Sequence, residues 1–324
     1  MRQRRTFAAL VAGWTCLLCS ILAQAQDYPS KPILIIVPFS PGTAVDHVAR
    51  LVARGLGEQF KVAVTVDNRM GASGQIGTAA VAKSNPDGYT LLFTSPAHYI
   101  NKSLYRNLPY DTVRDFRPVM RMSNAQLVLV VAKSAAVSNQ AELVAYVRAR
   151  PGKLSYSSAG SGSTTQLPAA LFNSMANLEV THIPYKSGAQ ALTDVMSGEV
   201  FMTTTAVTTA LPHIRAGTLK AIGVSGATRS LSLPEVPTIA EGGQSGFDFV
   251  SWNGMLAPAA TPGDVIGKLE AALMKMAAAP EFRERLLGGG VEPEPLGAKA
   301  FADRLQTEIP LWEKMVKLSG AKAE

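Results

Sequence analysis

Residues 37–52 read VPFSPGTAVDHVARLV. The first residues are apolar and strand-like, Pro41-Gly42-Thr43 interrupts them, and a helix-spaced run opens at once. With Thr43 as N-cap, Asp46 falls at the third helical position, an S/T-x-x-D capping box. Val45, Val48, Ala49, Val52 and Leu56 then share one helix face, suited to burial against a sheet. A helix start leaves backbone N–H groups unpaired and carries partial positive charge, so it can hold an anion without a basic side chain. Gly42 has no Cβ to keep a ligand from the backbone. The same stretch also fits a tight connection whose donors are met by Thr43, Asp46 and water.

Outward from this unit, apolar runs at Ile33 to Phe39, Val62 to Val66, Leu91 to Thr94, Leu127 to Ala132, Val180 to Ile183 and Lys220 to Val224 alternate with helix-spaced segments of about a dozen residues, the signature of βαβ units. The predicted class is α/β. Asn139 with Glu142, and Thr261 with Pro262 and Asp264, mark further helix starts. Ala298 to Leu318 reads as a helix that Pro310 should kink.

The opening pattern recurs. Ser155-Tyr156-Ser157-Ser158-Ala159-Gly160-Ser161-Gly162-Ser163-Thr164-Thr165 leaves a strand-like start, passes two glycines and opens the helical run Gln166 to Met175. Pro168 is tolerated only in a first turn, which places the cap at Thr164 or Thr165. Two strand–loop–helix units facing each other would clamp a small anion with amides and hydroxyls, because ligands of open α/β sheets sit beyond the carboxyl ends of the strands.

Composition limits the function classes. Residues 1–25 read as an export signal: Arg2, Arg4 and Arg5, a mostly apolar run from Phe7 to Leu22, and an Ala23-Gln24-Ala25 cleavage site, so that the mature chain begins at Gln26 in the periplasm. Arg4-Arg5 with Phe7 also resembles a twin-arginine signal. Cys16 and Cys19 both lie in this segment, which removes disulfides, thiol nucleophiles and cysteine-based zinc sites from the mature protein. The formal charge of +7 includes the three signal arginines, leaving 7 − 3 = +4 without any basic block, unlike a nucleic-acid binder. No later stretch approaches the ~18 uninterrupted apolar residues of a membrane span.

Catalytic patterns are missing. The chain has no G-x-S-x-G elbow, phosphate-loop motif or H-E-x-x-H. Gly71-Ala72-Ser73-Gly74-Gln75-Ile76-Gly77 has the glycines of a dinucleotide loop at the wrong spacing. His47, His98, His182 and His213 are scattered, without metal-ligand spacing, and read as packing or surface residues. Asp46 and His47 are adjacent and so on different helix faces, a poor acid–base pair. Neither metal nor cofactor is expected.

The runs YPSKPILIIVPFSPGTAVDHVARLVA, VDNRMGASGQIGTAAVAKSNPDGYTLLFTS, LPYDTVRDFRPV, PGKLSYSSAGSGS, HIPYKSGAQALTDVMSGEV, ALPHIRAGTLKAIGV, LPEVPTIAEGG and SWNGMLAPAATP resemble, in order and over essentially the whole mature chain, the Bug-type periplasmic solute receptors of tripartite tricarboxylate transporters. The resemblance implies a type II periplasmic-binding-protein fold with crossing hinge strands. Residues 26–123 and 229–324 would form one domain, and 124–228 the other. It implies a monomer that catalyses no reaction, closes on a small organic acid such as a di- or tricarboxylate or an aromatic carboxylate, binds no nucleic acid and delivers its ligand to membrane permease subunits. Carried over by position, the ligand loops are Phe39, Ser40, Pro41, Gly42, Thr43 and Asp46, and Ala159, Gly160, Ser161, Gly162, Ser163, Thr164 and Gln166, bordered by Thr94, Ser95 and Ala97. For Phe39 and Gln166 a core or capping role fits equally well.

Four departures bear on the ligand. Thr43 and Ser187 stand where relatives carry glycine, and Phe201 and Thr205 where the family's pattern has aspartates. If Thr205 faces the cleft, losing a carboxylate there removes a repulsion of about 4 kcal/mol at ~4 Å and an effective dielectric near 20. That favours a dicarboxylate or an aromatic carboxylate over an amino acid. If the hydroxyls of this Thr-rich strand instead pair with backbone, the exchange carries no such meaning. A sensing partner of a membrane histidine kinase would need the same ligand-closed form. A serine hydrolase using Ser161 or Ser163 would need a base the sequence does not supply.

Overall fold

The computed structural model describes residues 28–321. The signal reading of residues 1–25, Cys16 and Cys19 included, lies outside the described residues. The described chain is mixed α/β, and none of its helices is long and apolar enough to cross a membrane.

The first half runs β1 (Ile33–Val37), α1 (Ala44–Phe60), β2 (Val64–Asn68), α2 (Gln75–Ala82), β3 (Thr90–Thr94) and α3 (Ala97–Leu104) into a long strand, β4 (Phe116–Ala132). The second half continues with α4 (Gln140–Arg148), β5 (Ser155–Ser158), α5 (Gln166–Met175), β6 (Thr181–Pro184), α6 (Gly188–Ser197), β7 (Met202–Ala206), α7 (Val207–Arg215) and β8 (Leu219–Val224). The chain returns along β9 (Val250–Pro258), α8 (Gly263–Ala278), α9 (Pro280–Gly288), β10 (Glu292–Gly297) and α10 (Ala298–Ser319).

Strand alternation sorts the core into layers. Ile33, Ile35 and Val37 of β1 and Leu91 and Phe93 of β3 pack with Val48, Val52 and Leu56 of α1 and Leu269 and Leu273 of α8. Ile36 and Leu92 point the other way, into a cluster that also holds Phe172 of α5 and Phe301 and Trp312 of α10. In the second half, Val128 and Val130 of β4 face α6 and α7, while Leu127, Leu129 and Val131 join the larger cluster. The α10 helix passes through Pro310 without interruption, and packs on α5 as well as on α3 and β4.

β4 is the shared spine. Residues 120–124 pair with both β9 and β10, and residues 128–131 with both β7 and β8, so each edge of β4 carries one partner from either end of the molecule. The sheet order β2-β1-β3-β9-β4-β7-β5-β6 follows from this. β1, β2 and β3 are mutually parallel, and β3 and β4 are both antiparallel to β9. β7 is antiparallel to β4 and parallel to β5, which is parallel to β6. The carboxyl ends of the two strand sets therefore point toward each other. Thr94, closing β3, pairs with Gly254 and through it lies level with Arg121, while Ala206, closing β7, pairs with Leu127. Six residues of β4 separate the levels, about 20 Å at ~3.3 Å per residue. That interval is the crevice.

Arg121 stands at its edge, fully buried. It pairs with Glu294 of β10 and, at 2.9 Å, with Glu308 of α10, and also bonds Asn124. Glu308 further accepts from Arg304 at 3.0 Å and from the Trp252 indole at 3.2 Å. This network ties β4, β9, β10 and α10 together. Nearby, His98 is enclosed by the rings of Tyr99, Tyr110 and Phe116 and donates from Nε2 to the Thr112 carbonyl at 2.8 Å, the packing role its isolation in the sequence suggested.

Two expectations need correction. Thr261 does not cap α8: it is buried, its carbonyl accepts from Arg117 at 3.2 Å, and Pro262 occupies the cap position before Gly263. β4 begins eleven residues before Leu127, because Pro118 is absorbed at a register shift and the polar Arg121, Ser123, Asn124 and Gln126 interrupt the apolar pattern while Met122 stays in the core.

Two stability measurements follow from this core. Removing a partner of a buried charge costs about 3–5 kcal/mol, so Glu308→Ala should lower the unfolding free energy by about that much, read as a lower urea midpoint at unchanged m-value. Burial lowers the His98 pKa from 6.5 to about 4. Because the unfolded chain binds the proton more tightly, stability falls as pH drops from 6.5 toward 4, by about 3 kcal/mol at 1.36 kcal/mol per unit. His98→Gln, which keeps a donor for Thr112 but cannot titrate, should flatten that part of the pH–stability profile.

Candidate functional site

Both strand–loop–helix units lie at the facing strand ends. In the first, Thr43 is the N-cap of α1 and its hydroxyl accepts the Asp46 N–H at 3.3 Å. The box is completed differently from the sequence pattern. The Asp46 carboxylate, almost fully buried, accepts from the Gly42 amide at 2.9 Å, Arg50 Nε at 3.0 Å and Asn68 Nδ2 at 2.9 Å. Burial pushes its pKa up, but the bonds from Arg50, Gly42 and Asn68 outweigh this and hold it below the usual carboxylate value. Asp46 thus shapes the loop and neutralises Arg50. Asn68 Nδ2 also reaches the Phe39 carbonyl at 3.0 Å, and the Thr43 hydroxyl donates to the Ser40 carbonyl at 3.0 Å. Ser40, Pro41 and Gly42 remain exposed, with Gly42 at φ +81°. Among the described residues the first two helical amides, Ala44 and Val45, meet no acceptor.

The glycine-rich stretch after β2 packs against this loop. A Cβ on Gly74 would lie 3.3 Å from Pro38 Cβ, and one on Gly77 would lie 2.7 Å from the Arg69 carbonyl. Its glycines serve close packing. Ala72 and Ser73 adopt left-handed φ of 47° and 53°, held by the Ser73–Tyr105 hydroxyl contact at 2.8 Å and by Asn101 donating to the Ser73 carbonyl at 2.9 Å. Thr94 and Ser95 are buried at the end of β3, with no partner for the Thr94 hydroxyl among the described residues, and Ala97 opens α3 half-buried.

In the second unit neither Thr164 nor Thr165 caps through its side chain. Ser163 does: its hydroxyl and its carbonyl take the Gln166 N–H at 3.2 and 3.0 Å. The Thr165 hydroxyl turns back to accept the Ala159 amide at 2.9 Å, and the Thr165 carbonyl accepts from Thr204 Oγ1. The buried Gln166 reaches over the turn so that its Oε1 accepts the Gly162 amide. The amides of Ser161, Thr164 and Thr165 meet no acceptor among the described residues. Gly160 and Gly162, at φ +111° and +73°, let the chain turn there.

A buried Ser158 and His182, 2.7 Å apart, could suggest a nucleophile and its base. The donors decide otherwise. The Gly162 N–H fixes Gln166 Oε1, so the Gln166 Nε2 donors face His182 Nδ1 at 3.2 Å, and Nδ1 must present its lone pair. The ring hydrogen then sits on Nε2 and is donated to Ser158 Oγ, whose own hydrogen goes to the Gly160 carbonyl at 3.0 Å. The imidazole lone pair faces Gln166, away from the serine, and no carboxylate orients the ring.

These two residues were invisible in spacing. Parallel pairing of Tyr156 with His182 and of Ser158 with Pro184 brings them together. Of the family departures, Ser187 caps α6 by accepting the Gln190 amide at 3.3 Å, and Phe201 stacks on Tyr146 at the far end of β7. Thr203 and Thr204 spend their hydroxyls on the carbonyls of Ser157 and Thr165, whereas the Thr205 hydroxyl has no partner among the described residues. His47 is exposed beside Gly289, and His213 is half-buried on α7. No group of three or more His, Cys, Asp or Glu among the described residues could hold a metal ion.

The halves touch at the second loop. A Cβ on Gly162 would lie 2.1 Å from Leu104 Cδ1 of α3. On another side, a Cβ on Gly290 would lie 3.0 Å from Thr208 Cα of α7. Gly162→Ala combines this clash with a left-handed φ that costs a side-chain residue about 1–2 kcal/mol. It should lower Tm measurably in differential scanning calorimetry, and Leu104→Ala on the same background should recover the clash part while leaving the backbone part.

Comparison with known proteins identifies the family and fold. The model of the tripartite tricarboxylate transporter family receptor matches residues 48–320. An R. palustris protein solved with adipate is 34% identical, with a TM-score of 0.85, covering 91% of this chain and 99% of that one. The periplasmic binding protein BugD is 31% identical, with a TM-score of 0.81 and coverage of 92% and 100%. MatC from Rhodopseudomonas palustris, solved with bound malate, is 29% identical, with a TM-score of 0.80 and coverage of 89% and 100%. The fold is that of the type II periplasmic binding proteins. With this fold and a family model spanning most of its length, the chain belongs to the tripartite tricarboxylate transporter receptor family.

Proposed function

We propose that the protein captures a small dicarboxylate or aromatic carboxylate in the crevice beside β4 and hands it to the membrane permease subunits of a tripartite tricarboxylate-type transporter. It acts in the periplasm, as a monomer and without catalysing a reaction. Among the described residues one lobe is 28–123 with 229–321 and the other 124–228, with β4 and β9 as the hinge.

The observation that carries this reading is the pair of opposed helix starts with free amides, Ala44 and Val45 on one side and Ser161, Thr164 and Thr165 on the other. Neither loop contains a lysine or arginine, and Arg50 is already spent on Asp46. An anion would be held by oriented amides and hydroxyls, which suits carboxylates and needs no metal. Phe39, Ser40, Pro41, Gly42 and Thr43 would wall one end and Ala159, Gly160, Gly162 and Ser163 the other, with Asp46 and Gln166 shaping the loops and Thr94, Ser95 and Ala97 at the side. The unpartnered Thr205 hydroxyl supports a ligand with a second negative group, and the adipate and malate of two relatives are of that class.

Thermal-shift and calorimetric titrations with adipate, malate, phthalate and aspartate test it. A ligand at 100 times its Kd should add about 2.7 kcal/mol of stability, and the acids should bind more tightly than aspartate. Thr205→Asp should weaken dicarboxylate binding by at least about tenfold, within the ~4 kcal/mol repulsion such a carboxylate would exert at ~4 Å. No shift with any of the acids would overturn the assignment.

A further inference from the structure

The second loop is strung on a chain of hydrogen bonds whose direction is set by the Gly162 N–H, with Ser158 Oγ also accepting the Gly160 N–H at 3.2 Å and Gln166 also bonding the Tyr156 phenol. It runs from the Gly162 amide through Gln166 and His182 to Ser158 and the Gly160 carbonyl. The chain begins and ends inside the glycine turn that rests on Leu104 of the opposite half. A proton added to His182 must go to Nδ1, where it would oppose the Gln166 amine. Turning the Gln166 amide over relieves that conflict, but then sets the amine against the Gly162 N–H. Either way one link is lost: the His182–Gln166 bond if the amide stays, the Gly162–Gln166 bond if it turns over.

The surroundings of the ring offer no compensation. Tyr156 of β5 stacks on it at a centroid distance of 4.8 Å, Ser158 lies at Nε2 and Gln166 of α5 at Nδ1. The titratable group among these is the Tyr156 phenol, whose pKa burial raises, so it is neutral throughout the range of interest. No carboxylate or cation faces the ring, and burial holds its pKa below the ordinary 6.5. The neutral form is therefore the folded form at neutral pH. Its contribution is complete above 6.5 and is lost as pH falls through the lower folded value.

We propose that His182 is a positioning residue of the crevice: through Gln166 it keeps the Gly160–Gln166 turn in its capturing shape and against Leu104 while the ring is neutral, and protonation releases that turn. The inference rests on the second loop being a ligand loop, and it makes carboxylate capture weaken with acidity by a route separate from the ligand's own titration. It also makes Gln166 the coupling element, since a side chain unable to both donate and accept would break the chain.

NMR on the ligand-free protein tests the coupling directly. Between pH 8 and pH 5, the range a histidine switch covers, the His182 ring should be in the Nε2–H form at the upper end. The Gly162 amide signal should move with the same midpoint as the ring, and should stay flat in His182→Asn, whose carbonyl can still accept from Gln166. In parallel, adipate affinity of the wild type should fall over this range by at least about fivefold more than that of His182→Asn, a coupling typical of linked sites. The comparison cancels adipate's own protonation. An Nδ1–H ring, a Gly162 amide indifferent to the His182 titration, or the same affinity profile in both proteins would overturn the proposal. Failure of adipate to bind either protein at pH 8 would instead count against the ligand assignment, while the NMR titration still decides the coupling.

Discussion

The molecule depends on one strand with both edges in use along two separate stretches. β4 must satisfy the ladder groups of β9 and β10 near its middle and of β7 and β8 near its end, so the sheet of neither half is complete without it. Because the strand is continuous, the register on one stretch sets where the other begins. The crevice is the interval in between, and its width is a count of β4 residues. The buried Arg121 network fixes that interval to β10 and α10. Such a network is costly to assemble and costlier to break, which keeps the strand crossing in one arrangement while the loops beyond the strand ends remain free to meet a ligand.

Within the crevice the two loops solve the same problem with different chemistry. Each must turn sharply, each has an inner amide needing an acceptor, and each leaves outer amides unpaired. In the first loop a carboxylate, Asp46, takes the inner amide, and Arg50 offsets its charge. In the second loop a neutral amide, Gln166, does so with a histidine behind it. Both loops carry no net charge of their own, so on the proposed reading an anion would meet their free amides rather than a charged side chain. The first loop stays insensitive to pH until its depressed carboxylate titrates. The second inherits the sensitivity of an imidazole.

The helix starts were legible because their determinants are local. Thr43 capping Asp46, Asn139 capping Glu142 and the buried face of α1 all follow from spacing within one or two turns. The strand–loop–helix repetition around Gly42 and Gly160 was equally readable. β10, with Pro293 and Pro295, gave no strand signal, and it exists because only one of its edges needs pairing. The polar middle of β4 hid a strand that depends on partners from distant parts of the chain.

The sequence by itself determined the α/β class, the two strand–loop–helix units with the Thr43 cap of the first, and the family to which their order belongs. Where the loops point, which of their amides stay free, the burial of Arg121 and the assembly of Ser158, Gln166 and His182 into one chain were decided by tertiary structure alone. Caps and helix faces are written within a few residues, whereas the direction of a strand end and the partner of a buried donor depend on which strands pair, and that is settled only when the whole sheet closes around β4.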